Sequence, residues 1–462
     1  MAPGPGRAEG GPCRDELQRG NMSDAQTSTN LSPKLMKVAE RAKRDPEARL
    51  LALAYLMDEE LLKEAFGRIR KDAAVGVDGV TKEEYGAQLD DNIRRLHTRM
   101  KERRYRHQPI RRVHIPKAPG KTRPIGISTT EDKIVQNALT MVLGAIYEQD
   151  FLDCSYGFRP GRSAHDALRT LNAACMRGEV NVVLEADIES FFDSIDRKRL
   201  MEMLRQRVND ESLMRLVGKC LHVGVLDGED YTEPDVGTAQ GSVLSPMLGN
   251  IYLHHVLDVW LDREVRPRLR GKACLVRYAD DMVIGFERPE EAEMVMGLLR
   301  QRMAEYGLRL HPEKTRLVPF RRPPSRQEGG KGPGTFDFLG FTLLWQKTRK
   351  EHWGQNFKTR KGRLLRAKAA LNDFCRRYRH EPVKEQHASL CRRISGHFNY
   401  FGVNGNMDSL SRLVRAAERI WYRWLRRRSN RTRLNWQRFG DLLRAFPLPR
   451  PSIKVQLWVK LT

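Results

Sequence analysis

A chain of 462 residues is long enough for two or three domains and a substantial core. Its formal net charge of +25 says little about fold but points to anionic partners, nucleic acid above all. No apolar run approaches the roughly 20 residues that span a bilayer. Seven scattered cysteines with no Cys-x-x-Cys pair argue against structural zinc and for reduced thiols in the cytosol.

Residues 1–33 are rich in Gly, Pro, Ser and Asn, lack a signal-peptide layout, and are expected to form a disordered leader. From Leu50 to Ile69 the residues Leu62, Ala65, Phe66 and Ile69 share one helical face. The glycines of Val75-Gly76-Val77-Asp78-Gly79-Val80 mark a tight turn. Thr81, with Glu84 three residues on, opens a further helix through a capping box. Arg111 to Lys117 reads as a strand, and a Pro119-Gly120 turn returns it as a second one. The resulting basic hairpin offers Lys117, Lys121 and Arg123 to solvent. A helix over 132–150 is capped by Thr129 or Thr130. Ser155-Tyr156-Gly157-Phe158-Arg159-Pro160-Gly161-Arg162-Ser163 is a loop leading into a helix from Ala164, whose N-terminus suits phosphate.

Val182 begins a short apolar run that reads as a buried strand, with Asp187 at its end. The small residues of Ala239-Gln240-Gly241-Ser242 let a ligand approach the backbone, and Gln240 can hydrogen-bond a base or sugar edge. A helix over 247–261 follows. Two β-prone runs, Ala273 to Val276 and Val283 to Phe286, flank Arg277-Tyr278-Ala279-Asp280-Asp281-Met282 and put Asp280 and Asp281 at a hairpin tip. Taken alone, an Asp-Asp tip is ordinary turn chemistry. Two like charges so close repel unless a cation lies between them. If the Asp187 strand pairs beside this hairpin, three carboxylates converge. Hard oxygen donors in that number suit two magnesium ions clamping an in-line phosphoryl displacement.

A helix over 289–305 precedes Leu308-Arg309-Leu310-His311-Pro312-Glu313-Lys314-Thr315, and Phe336 to Phe341 reads as a strand. Lys358, Arg360, Lys361, Arg363, Arg366 and Lys368 then crowd a stretch expected to be helical. A strong amphipathic helix over 409–428 sets Leu410, Leu413, Val414, Ala417, Trp421 and Trp424 on one side, with arginines mostly elsewhere. The aromatic stripe reads as core and the arginines as a phosphate track. Residues 430–462 are basic and broken by Pro447, Pro449 and Pro451.

The Tyr278-Ala279-Asp280-Asp281 hairpin with the upstream Asp187 strand resembles a reverse transcriptase palm. From about Leu50 onward the chain resembles the group II intron-encoded reverse transcriptase/maturase family, and His397-Phe398-Asn399-Tyr400-Phe401-Gly402 is similar to that family's thumb, or maturase (X), domain. The resemblance implies an α/β (α+β) right-hand polymerase. Fingers and palm, with an antiparallel palm sheet, would occupy 34–345, a helical thumb 346–429 and a basic DNA-binding-like tail 430–462. It implies RNA-directed DNA synthesis with maturase help in splicing and mobility of a parent intron. Two Mg²⁺ would be held by Asp187, Asp280 and the backbone carbonyl of Ile188, with Asp281 in support. Lys117 and Arg123 would hold the triphosphate of an incoming dNTP above the pocket floor around Gln240. Phe191, or else Phe192, would block a 2′-hydroxyl. Lys314 would give a proton to leaving pyrophosphate or simply form an exposed salt bridge. Arg159 and Arg162 fall to template or nucleotide, and Arg426, Arg427 and Arg428 to intron RNA. The implied partners are intron RNA, a DNA target and primer, and dNTPs, in the cytoplasm and on the nucleoid when bound to DNA. No membrane is implied, and a homodimer stays open. The family's optional His-Asn-His endonuclease, with its paired cysteines, has no counterpart here. Two other readings compete: a maturase that only binds RNA, against which the intact carboxylates argue, and a bacterial reverse transcriptase of repair or phage defence, against which the His397–Gly402 segment argues.

Overall fold

The computed structural model describes residues 32–118, 121–228, 230–232, 236–238, 241–324, 333–348, 351–429 and 434–458. Its strands are β1 (Ile110–Ala118), β2 (Lys121–Ile127), β3 (Val182–Ala186), β4 (Val225–Asp227), β5 (Asp230–Thr232), β6 (Ala273–Tyr278), β7 (Asp281–Phe286), β8 (Arg316–Pro319), β9 (Phe336–Phe338), β10 (Phe341–Lys347) and β11 (Trp353–Thr359). The chain divides into two compact units, residues 1–163 with 190–257, and residues 164–189 with 258–462. In the second unit β9 to β11 and the helices after them cluster with the sheet that carries β3. Trp345 Nε1, for instance, donates to the Phe320 carbonyl (2.8 Å), just past β8. Among the described residues no helix is long and apolar enough to cross a membrane.

The first unit is organised on the helix Thr130–Tyr147, which is buried on nearly every side. A helix apolar all round belongs in a core, and here the helices Pro33–Arg44, Glu59–Gly67 and Ser245–Leu253 pack against it. Thr129 is the cap, its hydroxyl accepting from the Asp132 amide at 3.1 Å. Asp132 is buried, and it is satisfied by the Tyr105 hydroxyl (2.7 Å), the Gln108 amide (3.1 Å) and the Thr129 hydroxyl (2.7 Å). The helix expected over 50–69 begins only at Glu59. Asp58 accepts from the Leu61 amide and caps it, whereas the Ala54 amide upstream is drawn to Asp210 at 2.8 Å. The capping box of Thr81 and Glu84 forms. Gly76 is required where it stands: a Cβ there would meet Thr129 Cα at 2.6 Å. The basic hairpin is β1 with β2, with β2 at one edge of a sheet ordered β2-β1-β4-β5.

The second unit holds an antiparallel sheet ordered β6-β7-β3-β8. β3 and β7 are its inner strands and are buried along almost their whole length. The helices Ala164–Met176 and Pro289–Glu305 pack on it, which is why these strands read as continuous apolar runs. Lys358, expected in a helix, lies in β11 opposite Thr342 of β10. The helix starts three residues later, at Lys361. The helices Lys361–Arg377, Val383–Phe401, Met407–Arg426 and Trp436–Ala445 enclose a separate core around Trp421, whose indole N–H donates to Gln386 Oε1 at 3.0 Å.

Candidate active site

Strand pairing assembles the site within the second unit. β3 and β7 run antiparallel with Ala186 opposite Met282, so one further step sets Asp187 against Asp281. β6 and β7 close on each other at Tyr278 and Asp281, leaving Ala279 and Asp280 as a two-residue loop. Such loops favour glycine at left-handed φ, yet Ala279 holds φ +56°. A non-glycine residue there is strained and persists only where its surroundings fix it. What fixes it is Arg277. This side chain is fully buried, donates Nη1 to the Ala279 carbonyl (3.0 Å), and makes a two-point ion pair with equally buried Asp258 at 2.8 and 2.5 Å. The sequence reading missed this support, because the partner lies 19 residues upstream in a π-helical turn.

The neighbouring β9–β10 hairpin repeats the device. Leu339 stands at φ +49°, and its carbonyl accepts from the Tyr400 hydroxyl at 2.8 Å. That contact gives the His397–Gly402 motif a physical task.

The segment 308–315 lies along the other edge of β3. The His311 amide donates to the Asp187 carbonyl and the Glu189 amide to the Arg309 carbonyl, both at 2.8 Å. Ile188 forms the bridge between these bonds, opposite Leu310. This pattern turns the Ile188 carbonyl away from the segment, toward the β7 edge where the two-residue loop lies. Lys314 Nζ sits 2.5 Å from Asp187 Oδ2.

Asp281 is exposed at the head of β7. Lost hydration, then Asp280 and Asp187, push its pKa up from 3.8 to about 6, against the pull of Arg363 and Lys314. A carboxylate whose carboxylate neighbours raise its pKa fits a site meant for a hard cation, and Lys314 is the positive charge beside Asp187. Among the described residues no group of three or more His, Cys, Asp or Glu forms a ready-made metal cluster. A magnesium ion held by one or two carboxylates takes further oxygens from substrate phosphates and water.

The pH dependence has a definite sign. Asp281 binds its proton more tightly folded than unfolded, so its contribution to metal-free stability is fully present below about pH 4 and is lost as pH rises through about 6. In chelator-treated protein, Asp281→Asn should remove that fall. Thermal melts of both proteins at pH 4.5 and 7 check it, and an identical pH dependence would refute it.

The other expected residues lie elsewhere. Lys117's side chain and Gln240 fall outside the described residues. Arg123 is exposed on β2 opposite Ile115, close enough to Asp193 to pull that carboxyl's pKa down against the upward effect of burial. Phe191 is 3% exposed, and its ring would stand 3.0 Å from a Cβ on Gly249; Phe192 beside it is half-buried.

Arg159 is a correction. It is 4% exposed, pairs with Glu148 at 2.9 Å, and donates to the Leu152 and Ser155 carbonyls at 2.8 and 2.9 Å. It ties down the turn after the helix Thr130–Tyr147 and has no surface for a template. Arg162, 27% exposed, pairs with Asp153 at 2.5 Å. Arg426 is exposed, and Arg427, also exposed, lies over the Trp424 ring. Arg428 is half-buried and donates to the carbonyls of Arg379 and Glu381, which clamps a turn between helices.

Residues 115–343 match the family described as reverse transcriptase (RNA-dependent DNA polymerase). The chain is 34% identical over 351 residues to Protein YkfC of Escherichia coli (strain K12), covering 68% of this chain and 88% of that protein. It is 33% identical over 222 residues to the group II intron-encoded protein LtrA of Lactococcus lactis subsp. cremoris, covering 46% of this chain and 37% of the relative. It is 34% identical over 247 residues to an uncharacterized 91 kDa protein in cob intron of Schizosaccharomyces pombe, covering 53% of this chain and 30% of that one. The matched stretch contains both Asp187 and the Asp280–Asp281 hairpin, and members of this class of polymerase use divalent metal ions. The chain therefore belongs to the reverse transcriptase family, the RNA-dependent DNA polymerases, on the branch of the group II intron-encoded proteins.

Proposed function

We propose that this protein copies RNA into DNA for a group II intron and also holds that intron's RNA in a splicing-competent shape. The observation that carries the reading is the β3–β7 ladder, which brings Asp187 to Asp281 beside the strained tip bearing Asp280. Asp187, Asp280 and the Ile188 carbonyl hold two Mg²⁺ with Asp281 in support. Ions bound there would supply Lewis-acid stabilisation of the charge that builds on the phosphoryl oxygens. Lys314, ion-paired with Asp187, would give a proton to departing pyrophosphate. Lys117 and Arg123 hold the dNTP triphosphate, and Gln240 lines the floor. Phe191, or else its neighbour Phe192, sits under the sugar and excludes a 2′-hydroxyl. Arg162 meets the template.

Arg426 and Arg427 belong to a surface for intron RNA that copying a short template does not need. The double change Arg426→Gln with Arg427→Gln leaves Arg428's clamp intact and keeps helix propensity. It should weaken intron RNA binding and flatten its log–log salt slope by about 1.5, since each neutralised phosphate contributes roughly 0.7–0.9. Primer extension on a short unstructured template should hold. Both activities are measured on one preparation across a salt series. Equal loss of both, or of neither, removes the separate surface. A wild-type protein that binds the RNA but never extends a primer leaves only splicing.

A further inference from the structure

The first unit contains a concavity that none of the residues above enters. The segment 102–109 and the helices Arg197–Arg207 and Glu211–Leu221 border an open depression of about 740 Å³, wide enough for a small ligand or one nucleotide. Its rim is cationic: Arg103, Arg106, Arg205, Arg215 and Lys219 line it against a single carboxylate, Glu211, which stands 3.5 Å from Arg205. Its floor is apolar and bare. Half-buried Met201 lines it above buried Met214, and at Gly218, within a helix, a Cβ would meet nothing within 4 Å.

Two details set this apart from a solvated basic face. Lys219 Nζ donates to the carbonyls of Tyr105 and Arg103 and so is pinned to the wall. Its proton is held less tightly than usual because of burial, then of Arg215 and Arg106, so these cations converge on one place. Arg103 holds φ +62° at the end of the helix Leu89–Lys101, a position where helices usually close with glycine. Here an arginine occupies it and lines the cavity.

We propose that this depression takes one unpaired nucleotide of an RNA strand, with the base against Met201 and Gly218 and the flanking phosphates on Arg103, Arg106, Arg205 and Arg215. The chemistry required is a flat, polarisable group between two anions. Sulfur-bearing side chains suit a base face, and guanidinium groups suit phosphate. A duplex keeps its bases stacked inside and presents only backbone to such a hole. A free nucleoside triphosphate shares the chemistry, and the test separates the two sources. The inference rests on the reading of the chain as an RNA-binding polymerase and adds a second place of contact.

The test uses the full-length protein and a 12-nucleotide unstructured RNA carrying 4-thiouridine. Irradiation should crosslink the RNA to peptides within 201–219, identified by mass spectrometry. Gly218→Met fills the floor from a helix with room for it, so its melting curve should match wild type while the crosslink falls about 5- to 100-fold, the range for loss of one stacked base. Arg106→Gln with Arg215→Gln should lower the crosslink and flatten its salt slope by about 1.4, two phosphates' worth on a single strand. A 12-base-pair RNA duplex should give no crosslink, and millimolar nucleoside triphosphate should not compete. Primer extension on a short template, run alongside, should be unchanged in both variants. Absence of a wild-type crosslink in 201–219 while extension proceeds overturns the cavity and leaves the polymerase standing. Displacement by triphosphate overturns the strand in favour of a free nucleotide. A wild-type protein that neither crosslinks nor extends overturns both readings.

Discussion

Asp280→Asn should cut primer extension by about 10³-fold. A metal ion at the reacting phosphate supplies several kcal/mol of charge stabilisation, and each 1.4 kcal/mol is a factor of ten in rate. The substitution keeps shape and removes one negative charge. Asp280 lies in a two-residue loop rather than in a strand, so the ladder from Ala273 to Phe286 should persist. It also relieves repulsion on Asp281, so the metal-free protein should melt no lower than wild type. Asp187→Asn should lose as much activity, although it also takes the anion from Lys314. Steady-state extension and thermal melts on the same samples check this. Extension near the wild-type rate in either variant would remove these carboxylates from the chemistry.

The second large effect concerns a residue that never meets substrate. Arg277→Gln leaves Asp258 buried without its cation, which costs about 3–5 kcal/mol when a buried pair is broken. In a unit of this size the melting temperature should drop on the order of 10 °C. That loss alone would say only that the pair is structural. Arg277→Met with Asp258→Leu separates the two roles, because replacing both charges by apolar groups of similar volume restores most stability. It does not restore the donor to the Ala279 carbonyl. The tip should then relax from its left-handed conformation and displace Asp280. A misplacement of about 1 Å costs on the order of 10²-fold in rate. The expected pattern is a double variant that melts like wild type yet extends slowly, with kcat reduced far more than KM is changed and with a raised metal requirement. Recovery of both stability and rate would mean that the tip holds its shape without Arg277.

The carboxylate site was legible because its two signals are local. An apolar run ending in Asp187, and two apolar runs around Asp280–Asp281, each specify their own strand and tip. Only the pairing of β3 with β7 had to be supplied from elsewhere. Arg159 misled for a related reason. An arginine between Phe158 and Pro160 reads as an exposed loop cation, and nothing nearby announces that Glu148 and carbonyls around Leu152 will enclose it. Lys358 failed because β11 has little alternation of its own, and its partner β10 fixes it as a strand. The breaks at 51–58 and the Arg277–Asp258 pair depend on partners distant in sequence or on an unusual helical turn. Composition and periodicity do not carry that information.

β3 pairs with strands that follow it late in the chain. Roughly 95 residues separate Ala186 from Asp281, and β8 comes later still. At about 5–20 residues per second, a ribosome needs on the order of 5–20 s to make that interval. Through all of it Asp187 exists without the strand that will set Asp281 beside it. A nascent chain still short of β7 therefore has no means of copying the message from which it is being translated. Strand order alone keeps the two carboxylates apart until synthesis has passed this point.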